Sequence, residues 1–530
     1  MPHSWLLPVL VLTAAVWAVA CGNGDDTPGQ TPTAAATPTP PKYKVGLQEA
    51  PCGFELPRGQ ENSDVRCGYV EVPENRAGAQ SRRIRLAFAT LRTSAAEPGM
   101  PVLFLDGGPG GSTLRGLLGW FAMEFAEPLQ SQRDLVFFDY RGTGLSEPNM
   151  SCPELDSLVP TTPGDEGSRE AQEDEAESAL LACRDRIVGA GADLDAYHTA
   201  EVAADASDLM GALGYERFSV YGASYGTRVA LTMLRDRPVG IERAVLDSAY
   251  PPDVDLYAEL AVNQQRGLER VMAACREQAA CGAAFPDLER KLFEVIEKLN
   301  AQPVELEARD PGTGALRPIV VDGTVLLSLL FGSLSSDGLL VRIPEVIDAA
   351  AKGQYQALTP ALDAQYGGIG GPSGAVPMRT SVLCAEEVPF TSAEAVQTAS
   401  EELWPAVRAA GLFGIGDAAE LQEELDFCTR WGAATQPARE AEAVRSDAPA
   451  LILAGAFDGS TPPRWARMAA ASLSNSTLVE FTGMGHGVLF RPDAQCAMQI
   501  VVAFLEDPAT VEASCAEAEP DFALPPGSGG

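Results

Sequence analysis

The residues best suited to chemistry lie in three short Gly-rich stretches. Gly222-Ala223-Ser224-Tyr225-Gly226 follows the apolar run RFSVY and precedes the helix-like TRVALTMLRD. A strand-to-helix turn of this kind forces the serine into a strained backbone and exposes its hydroxyl, and flanking glycines let the turn close. Serine alone is a weak nucleophile and needs a base within hydrogen-bond reach, usually a histidine oriented by a carboxylate. The chain has three histidines, and His3 lies in a leader-like segment, which leaves His198 and His486. His486, in FTGMGHGV, occupies a Gly-rich loop after a strand-like run near the C-terminus. His198 precedes the serine and opens a helix pattern, where a partly exposed residue beside an N-cap is the simpler reading. The acid should lie between Ser224 and His486 at a strand end. Asp458 in PALILAGAFDGSTPP fits, with Asp247, which ends VLDS, as the alternative. Such a set transfers an acyl group through a serine ester that water resolves.

The oxyanion formed in that reaction needs preorganised N–H donors, each worth roughly 3 kcal/mol. Tyr225, the residue after the nucleophile, supplies one. The loop in PVLFLDGGPGGS supplies the other, with Gly108 as the donor expected within Gly107–Gly111. This loop lacks the Lys-Ser/Thr of a phosphate cradle and the spacing of a dinucleotide site. No metal or organic cofactor is called for. With only two histidines beyond the leader and no C-x-x-C, a zinc site has few ligands to draw on.

Positioning these groups requires a sheet. Short apolar runs at Val102–Leu105, Leu135–Asp139, Phe218–Tyr221, Ala244–Leu246, Leu451–Ala454 and Leu478–Phe481 read as strands covered on both faces. They alternate with helical patterns such as Thr199–Leu213, with Thr199 as N-cap and Gly214 as the stop. Cys67–Val72 and Ile84–Leu91 alternate as an antiparallel pair. The class expected is α/β, a mostly parallel sheet flanked by helices over 46–256 and 444–515. Residues 257–443, which contain the helix pattern Leu288–Leu299 and a Gly-rich patch at Gly367–Gly374, break the rhythm and read as an inserted, mainly helical cap. Residues 516–530 read as a flexible tail.

The N-terminus sets the compartment. Trp5–Ala20 is uncharged and shorter than a membrane span, so 1–20 reads as a signal peptide. Ala18-Val19-Ala20-Cys21 resembles a bacterial lipobox, which would lipidate Cys21. The Thr/Pro/Ala/Gly tract that follows reads as a tether over 21–45. A conventional secreted form is the alternative. Beyond Cys21 ten cysteines remain, and in an oxidising compartment five disulfides are the natural expectation. Pairing sequence neighbours gives Cys52–Cys67, Cys152–Cys183, Cys275–Cys281, Cys384–Cys428 and Cys496–Cys515, although composition does not decide connectivity. With 38 basic against 73 acidic residues, the formal charge of -35 excludes non-specific nucleic-acid binding and favours a cationic or amine-bearing partner.

The motifs GGPGGS, DLVFFDYRGTGLSEP, YGASYGT, VLDSAYPP, LILAGAFDGSTPP and GMGHG resemble those of α/β-hydrolase serine exopeptidases of the prolyl and tripeptidyl aminopeptidase family, with a TAP-like C-terminal segment. The resemblance covers roughly Cys52 to Leu505. It departs at Asp106, where prolyl enzymes carry His before Gly-Gly-Pro-Gly, and this shifts the match toward the tripeptidyl branch. The resemblance implies an α/β-hydrolase fold and cleavage of peptide substrates from a free N-terminus, with cap acids holding the α-ammonium. Glu386 and Glu387, in Cys384-Ala385-Glu386-Glu387, occupy the place where the family tends to carry a Cys-x-acid segment, with Glu386 first in line. Two other functions share these motifs: a carboxylesterase or lipase of small acyl esters, and a non-catalytic surface-binding lipoprotein.

Overall fold

The short apolar runs pair side by side. A computed structural model describes residues 43–56, 64–78, 80–117, 126–156, 169–310, 314–366, 376–411, 417–491 and 494–525. The expectations for the signal peptide, for Cys21, for the tether up to 42, for Gly367–Gly374 and for the end of the tail lie outside these residues. The strands are β1 (Gly46–Glu49), β2 (Val65–Pro73), β3 (Arg83–Leu91), β4 (Val102–Leu105), β5 (Leu135–Phe138), β6 (Phe218–Ala223), β7 (Ile241–Asp247), β8 (Val304–Arg309), β9 (Leu316–Val321), β10 (Ala450–Gly455) and β11 (Ser476–Phe481). Nine of them form one sheet in the order β1-β2-β3-β5-β4-β6-β7-β10-β11. From β5 onward all neighbours run parallel, and β1, β2 and β3 add an antiparallel edge.

Burial explains the two strand grammars. β4, β5, β6 and β10 are buried at every position, as strands covered by helices on both faces must be. β2 alternates more openly because the edge of the sheet is less covered. The helices that matter for the site are α1 (Thr199–Leu213), α2 (Tyr225–Asp236), α3 (Leu256–Glu277), α4 (Leu288–Ala301), α5 (Gly323–Ser333), α6 (Val376–Glu386), α7 (Ala418–Trp431), α8 (Pro463–Ser472) and α9 (Gln495–Glu506). Helices α3 to α7 lie in the stretch between β7 and β10, where the sequence suggested a cap. Part of that stretch has its own apolar core, with Leu292, Leu299, Leu326, Leu330, Phe331 and Leu358 buried together. It also contains the antiparallel hairpin β8–β9, which the helical reading missed.

A buried ion network anchors α1 against the sheet. Arg141 is fully buried and grips Asp205 through Nε (2.8 Å) and Nη2 (2.7 Å), reaches Glu201 at 3.1 Å, and donates to the Ala196 carbonyl at 2.6 Å. Arg76 meets the same acids from the other side and adds Asp208 at 2.6 Å. Tyr43 joins this network through Asp208 (2.7 Å), so the end of the expected tether is docked on the core.

Two further expectations change, and two hold. The N-cap of α1 is His198, because Thr199 commits its hydroxyl and its N–H to the Glu386 carboxylate. Gly214 does stop the helix, at φ 88°. The tail expected to be flexible from 516 is packed as far as it is described: Phe522 is buried in the core that lies between β7 and β10, and the Ala523 N–H bonds the Val341 carbonyl. The five disulfides pair sequence neighbours, as expected.

Arg141→Met leaves Asp205 and Glu201 with Arg76 as their remaining guanidinium partner. A buried charge stripped of its partner costs about 3 to 5 kcal/mol. The expected outcome is a clear fall in the thermal midpoint of the oxidised protein, and a midpoint equal to that of the parent would show the network to be dispensable.

Candidate active site

Ser224 occupies the turn between β6 and α2 at φ 53° and ψ -122°, a backbone region that non-glycine residues rarely adopt. The glycines around it are sterically required. A Cβ on Gly222 would stand 2.4 Å from the Gly226 carbonyl oxygen, and one on Gly226 would stand 2.0 Å from the Leu105 carbonyl oxygen. The strain is held from below: the Ser224 N–H donates to the Asp247 carbonyl at 2.9 Å, and the Thr227 hydroxyl donates to the Ser224 carbonyl at 2.6 Å.

Asp458 follows β10 and is buried. Its Oδ1 accepts the N–H groups of Ser460 and Thr461, each at 2.8 Å, and its Oδ2 accepts the Thr461 hydroxyl at 2.8 Å. The same Oδ2 lies 2.9 Å from His486 Nδ1. Burial alone would raise the Asp458 carboxyl, but the imidazole and the Thr461 donors outweigh it and hold the group below the usual carboxylate range. The opposite balance acts on His486. Burial would lower it, and the Asp458 charge raises it above its ordinary value. An Nδ1–H donated to Asp458 leaves Nε2 as the basic nitrogen, the tautomer that a general base requires.

The alternative acid, Asp247, does something else. It ends β7, between the strands that carry Ser224 and Asp458, and its carboxylate accepts the N–H groups of Val488 and Leu489 at 2.8 Å and the Tyr221 hydroxyl at 2.6 Å. Burial raises its carboxyl above the ordinary value. Ser248 adds a hydroxyl that accepts the Gly487 N–H at 2.8 Å. Together Asp247 and Ser248 fold the His486 loop back across the end of β7 toward the Ser224 turn. The sequence analysis did not single out Ser248, and no local pattern marks it.

The Gly-rich loop after β4 lies directly on the nucleophile: a Cβ on Gly107 would come within 3.1 Å of Ser224 Cβ and 3.7 Å of its Oγ. Gly108 stands at φ 117°. Tyr225 opens α2, where first-turn N–H groups have no partner within the helix. Its ring is buried, and its hydroxyl is 2.8 Å from Thr199 Oγ1.

Glu386 and Glu387 are placed differently from a solvent-facing pair. Both are buried beside Arg228 of α2. Glu386 is fully engaged, with Oε2 2.6 Å from the Thr199 hydroxyl and 3.2 Å from Arg228 Nε, so its charge caps α1 instead of standing free. Glu387 Oε1 lies 2.9 Å from Arg228 Nη1, off the hydrogen-bond axis, and accepts no hydrogen bond. Burial pushes the Glu387 carboxyl up to about 7 despite the guanidinium beside it. His198, at the mouth of α1, is partly exposed and has its imidazole lowered by burial.

The sequence is similar to those of known proteins. Residues 100–306 match the family model described as alpha/beta hydrolase fold, and residues 416–515 match the one described as TAP-like protein. The chain has the α/β-hydrolase fold. It is 24% identical over 483 residues to the serine protease Hip1 of Mycobacterium tuberculosis, covering 88% of this chain and 89% of that one. It is 29% identical over 220 residues to the tripeptidyl aminopeptidase of Streptomyces lividans, covering 40% of this chain and 39% of that one. A solved alpha/beta hydrolase fold protein from Chitinophaga pinensis overlaps 80% of this chain and 94% of its own at 15% identity and a TM-score of 0.33. With these relatives and this fold, the protein is a serine hydrolase.

The two acids separate by mutation. Asp458→Asn is expected to lower kcat by about 10⁴ and to move the acid limb of the kcat/KM profile to lower pH, because the charge that raises His486 is gone. Asp247→Asn, which turns one of the two acceptor oxygens of the loop clasp into an amide NH2, should lower the melting temperature and cost less rate than Asp458→Asn. Near-parental turnover by the first variant with collapse in the second would reverse the assignment.

Proposed function

We propose that this protein is a serine peptidase that releases short peptides, of tripeptide type, from substrates with a free N-terminus. The observation that carries the catalytic half is the 2.9 Å contact between His486 and buried Asp458, on a loop clasped over the strand beside the Ser224 turn. In this reading Ser224 Oγ attacks the scissile carbonyl while His486 Nε2 takes its proton. Asp458 stabilises the imidazolium, and the N–H groups of Gly108 and Tyr225 receive the oxyanion. His486 then protonates the leaving amine, and water, activated by the same imidazole, hydrolyses the ester on Ser224.

The exopeptidase half rests on charge. One guanidinium, Arg228, faces two buried carboxylates, which leaves a negative charge short of compensation one helical turn from the nucleophile. A substrate ammonium satisfies that deficit. Of the two acids, Glu387 has an oxygen that is ion-paired with Arg228 but accepts no hydrogen bond, so the amine-binding role falls to it ahead of Glu386. The named relatives, a serine protease and a tripeptidyl aminopeptidase, favour peptides over simple esters as substrates. The five disulfides suit an oxidising, extracytoplasmic setting. Attachment to a membrane through a lipidated Cys21 is part of the same proposal: Cys21→Ala should release the protein into the soluble fraction.

Turnover of a tripeptide anilide with a free amine should exceed that of its N-acetyl form by about 10- to 100-fold, the worth of one charge-assisted hydrogen bond. Glu387→Gln should erase most of that ratio through KM. Equal turnover of the free and blocked substrates would remove the exopeptidase reading, and turnover of small esters alone would replace it with an esterase.

A further inference from the structure

The Gly-rich loop is held at both ends by carboxylates that the catalytic scheme does not use, Asp139 buried and Asp106 half-buried. Asp139 takes the far end, accepting the Leu114 N–H at 3.0 Å, the Leu145 N–H at 2.7 Å and the Ser112 hydroxyl at 3.2 Å. Asp106 takes the near end. Its Oδ1 accepts the Gly107 N–H at 2.7 Å, its Oδ2 accepts the Thr113 hydroxyl at 3.3 Å, and its own carbonyl accepts the Tyr140 hydroxyl at 2.9 Å. The residue touches both sides of the nucleophile turn. Its carbonyl would lie 2.8 Å from a Cβ on Gly226, and Gly107, which it holds, lies against Ser224.

We propose that Asp106 is a positioning residue of the oxyanion loop: by keeping the Gly107 N–H for itself and tying the loop to Thr113, it makes the Gly108 N–H the donor that meets the substrate oxygen. The assignment rests on Ser224 being the nucleophile. An N–H already bonded to a carboxylate has no second proton to give, so the donor on this side must come from the next peptide. That peptide belongs to Gly108, whose φ of 117° is open to glycine and strained for other residues. A carboxylate this near a developing oxyanion would oppose it unless its own charge were drawn off. The Gly107 and Thr113 donors do that. Burial, reinforced by the Asp139 charge, also pushes the Asp106 carboxyl up to about 6. The site therefore needs an acceptor at position 106 more than it needs a charge there.

The test compares Asp106→Asn, Asp106→Ala and Thr113→Val with the parent protein, all with disulfides formed, on a tripeptide anilide and on p-nitrophenyl acetate. Both substrates pass through an oxyanion. Asp106→Ala should lower kcat on both by about 30- to 100-fold with KM nearly unchanged. Asp106→Asn, which keeps the acceptor, should restore the rate to within about fivefold of the parent, and Thr113→Val should fall between. A parental kcat for Asp106→Ala, a loss confined to KM, or an asparagine variant as slow as the alanine one would overturn the proposal. If Asp106→Ala fails to fold, Thr113→Val decides, and an unchanged kcat there overturns it. If the anilide is inert to every protein while the ester reacts, the peptidase reading fails and the ester rates alone judge Asp106.

Discussion

The arrangement turns on the buried carboxylate of Asp247. In a parallel sheet with the order β6-β7-β10-β11, residues that follow β6 and β11 are separated by two strands, too far for a hydroxyl and an imidazole to meet unless one loop crosses the gap. Asp247, at the end of the intervening β7, accepts the N–H groups of Val488 and Leu489, and Ser248 accepts that of Gly487. The His486 loop is thereby laid across the strand ends. The carbonyl of the same Asp247 holds the Ser224 N–H, so one residue fixes both partners. Buried backbone donors of this kind are costly to leave unpaired, which makes the clasp stiff as well as specific.

Charge is arranged as carefully as geometry. The chain carries a large excess of acid, yet the acids around the site are buried or half-buried and individually answered: Asp458 by His486 and Thr461, Asp106 by Gly107 and Thr113, Glu386 by Thr199 and Arg228. Glu387 is the exception, with one oxygen that accepts no hydrogen bond and a carboxyl pushed up by burial. Its charge partner is the Arg228 guanidinium, 2.9 Å away and off the hydrogen-bond axis.

How much of this the sequence revealed depends on how local each signal was. Ser224, Asp458 and His486 sit in motifs whose neighbours enforce the turn, so a few consecutive residues announce them. The buried parallel strands were legible for the same reason, as uninterrupted apolar runs. Asp247 read as a spare acid because its partners lie 241 and 242 residues away, and no pattern at VLDS points to them. Glu386 and Glu387 read as a pair facing a substrate amine. The sign that they would be buried was Arg228, a lone cation within the apolar face of TRVALTML, one turn beyond the nucleophile. The hairpin β8–β9 was missed because its strands carry charged residues on the outward face within a helix-rich stretch.

The stretch between β7 and β10 is more than a cover. The Leu334 carbonyl, just past α5, accepts the His486 N–H at 3.4 Å, and a Cβ on Gly485 would strike that same carbonyl at 2.1 Å. From α3, Gln264 donates to the Ser460 hydroxyl at 3.3 Å, and Arg270 donates to the Ala456 carbonyl at 2.9 Å, on either side of Asp458. The Asp458 turn and the His486 loop thus take support from α3 and from the end of α5. A movement that lifted these helices to admit substrate would take away the acceptor of His486 and loosen the turn that presents Asp458. Entry and catalysis remain compatible only if α3 and α5 stay seated while substrate passes beside them, so the support given to the acid and base restricts how the active site can open.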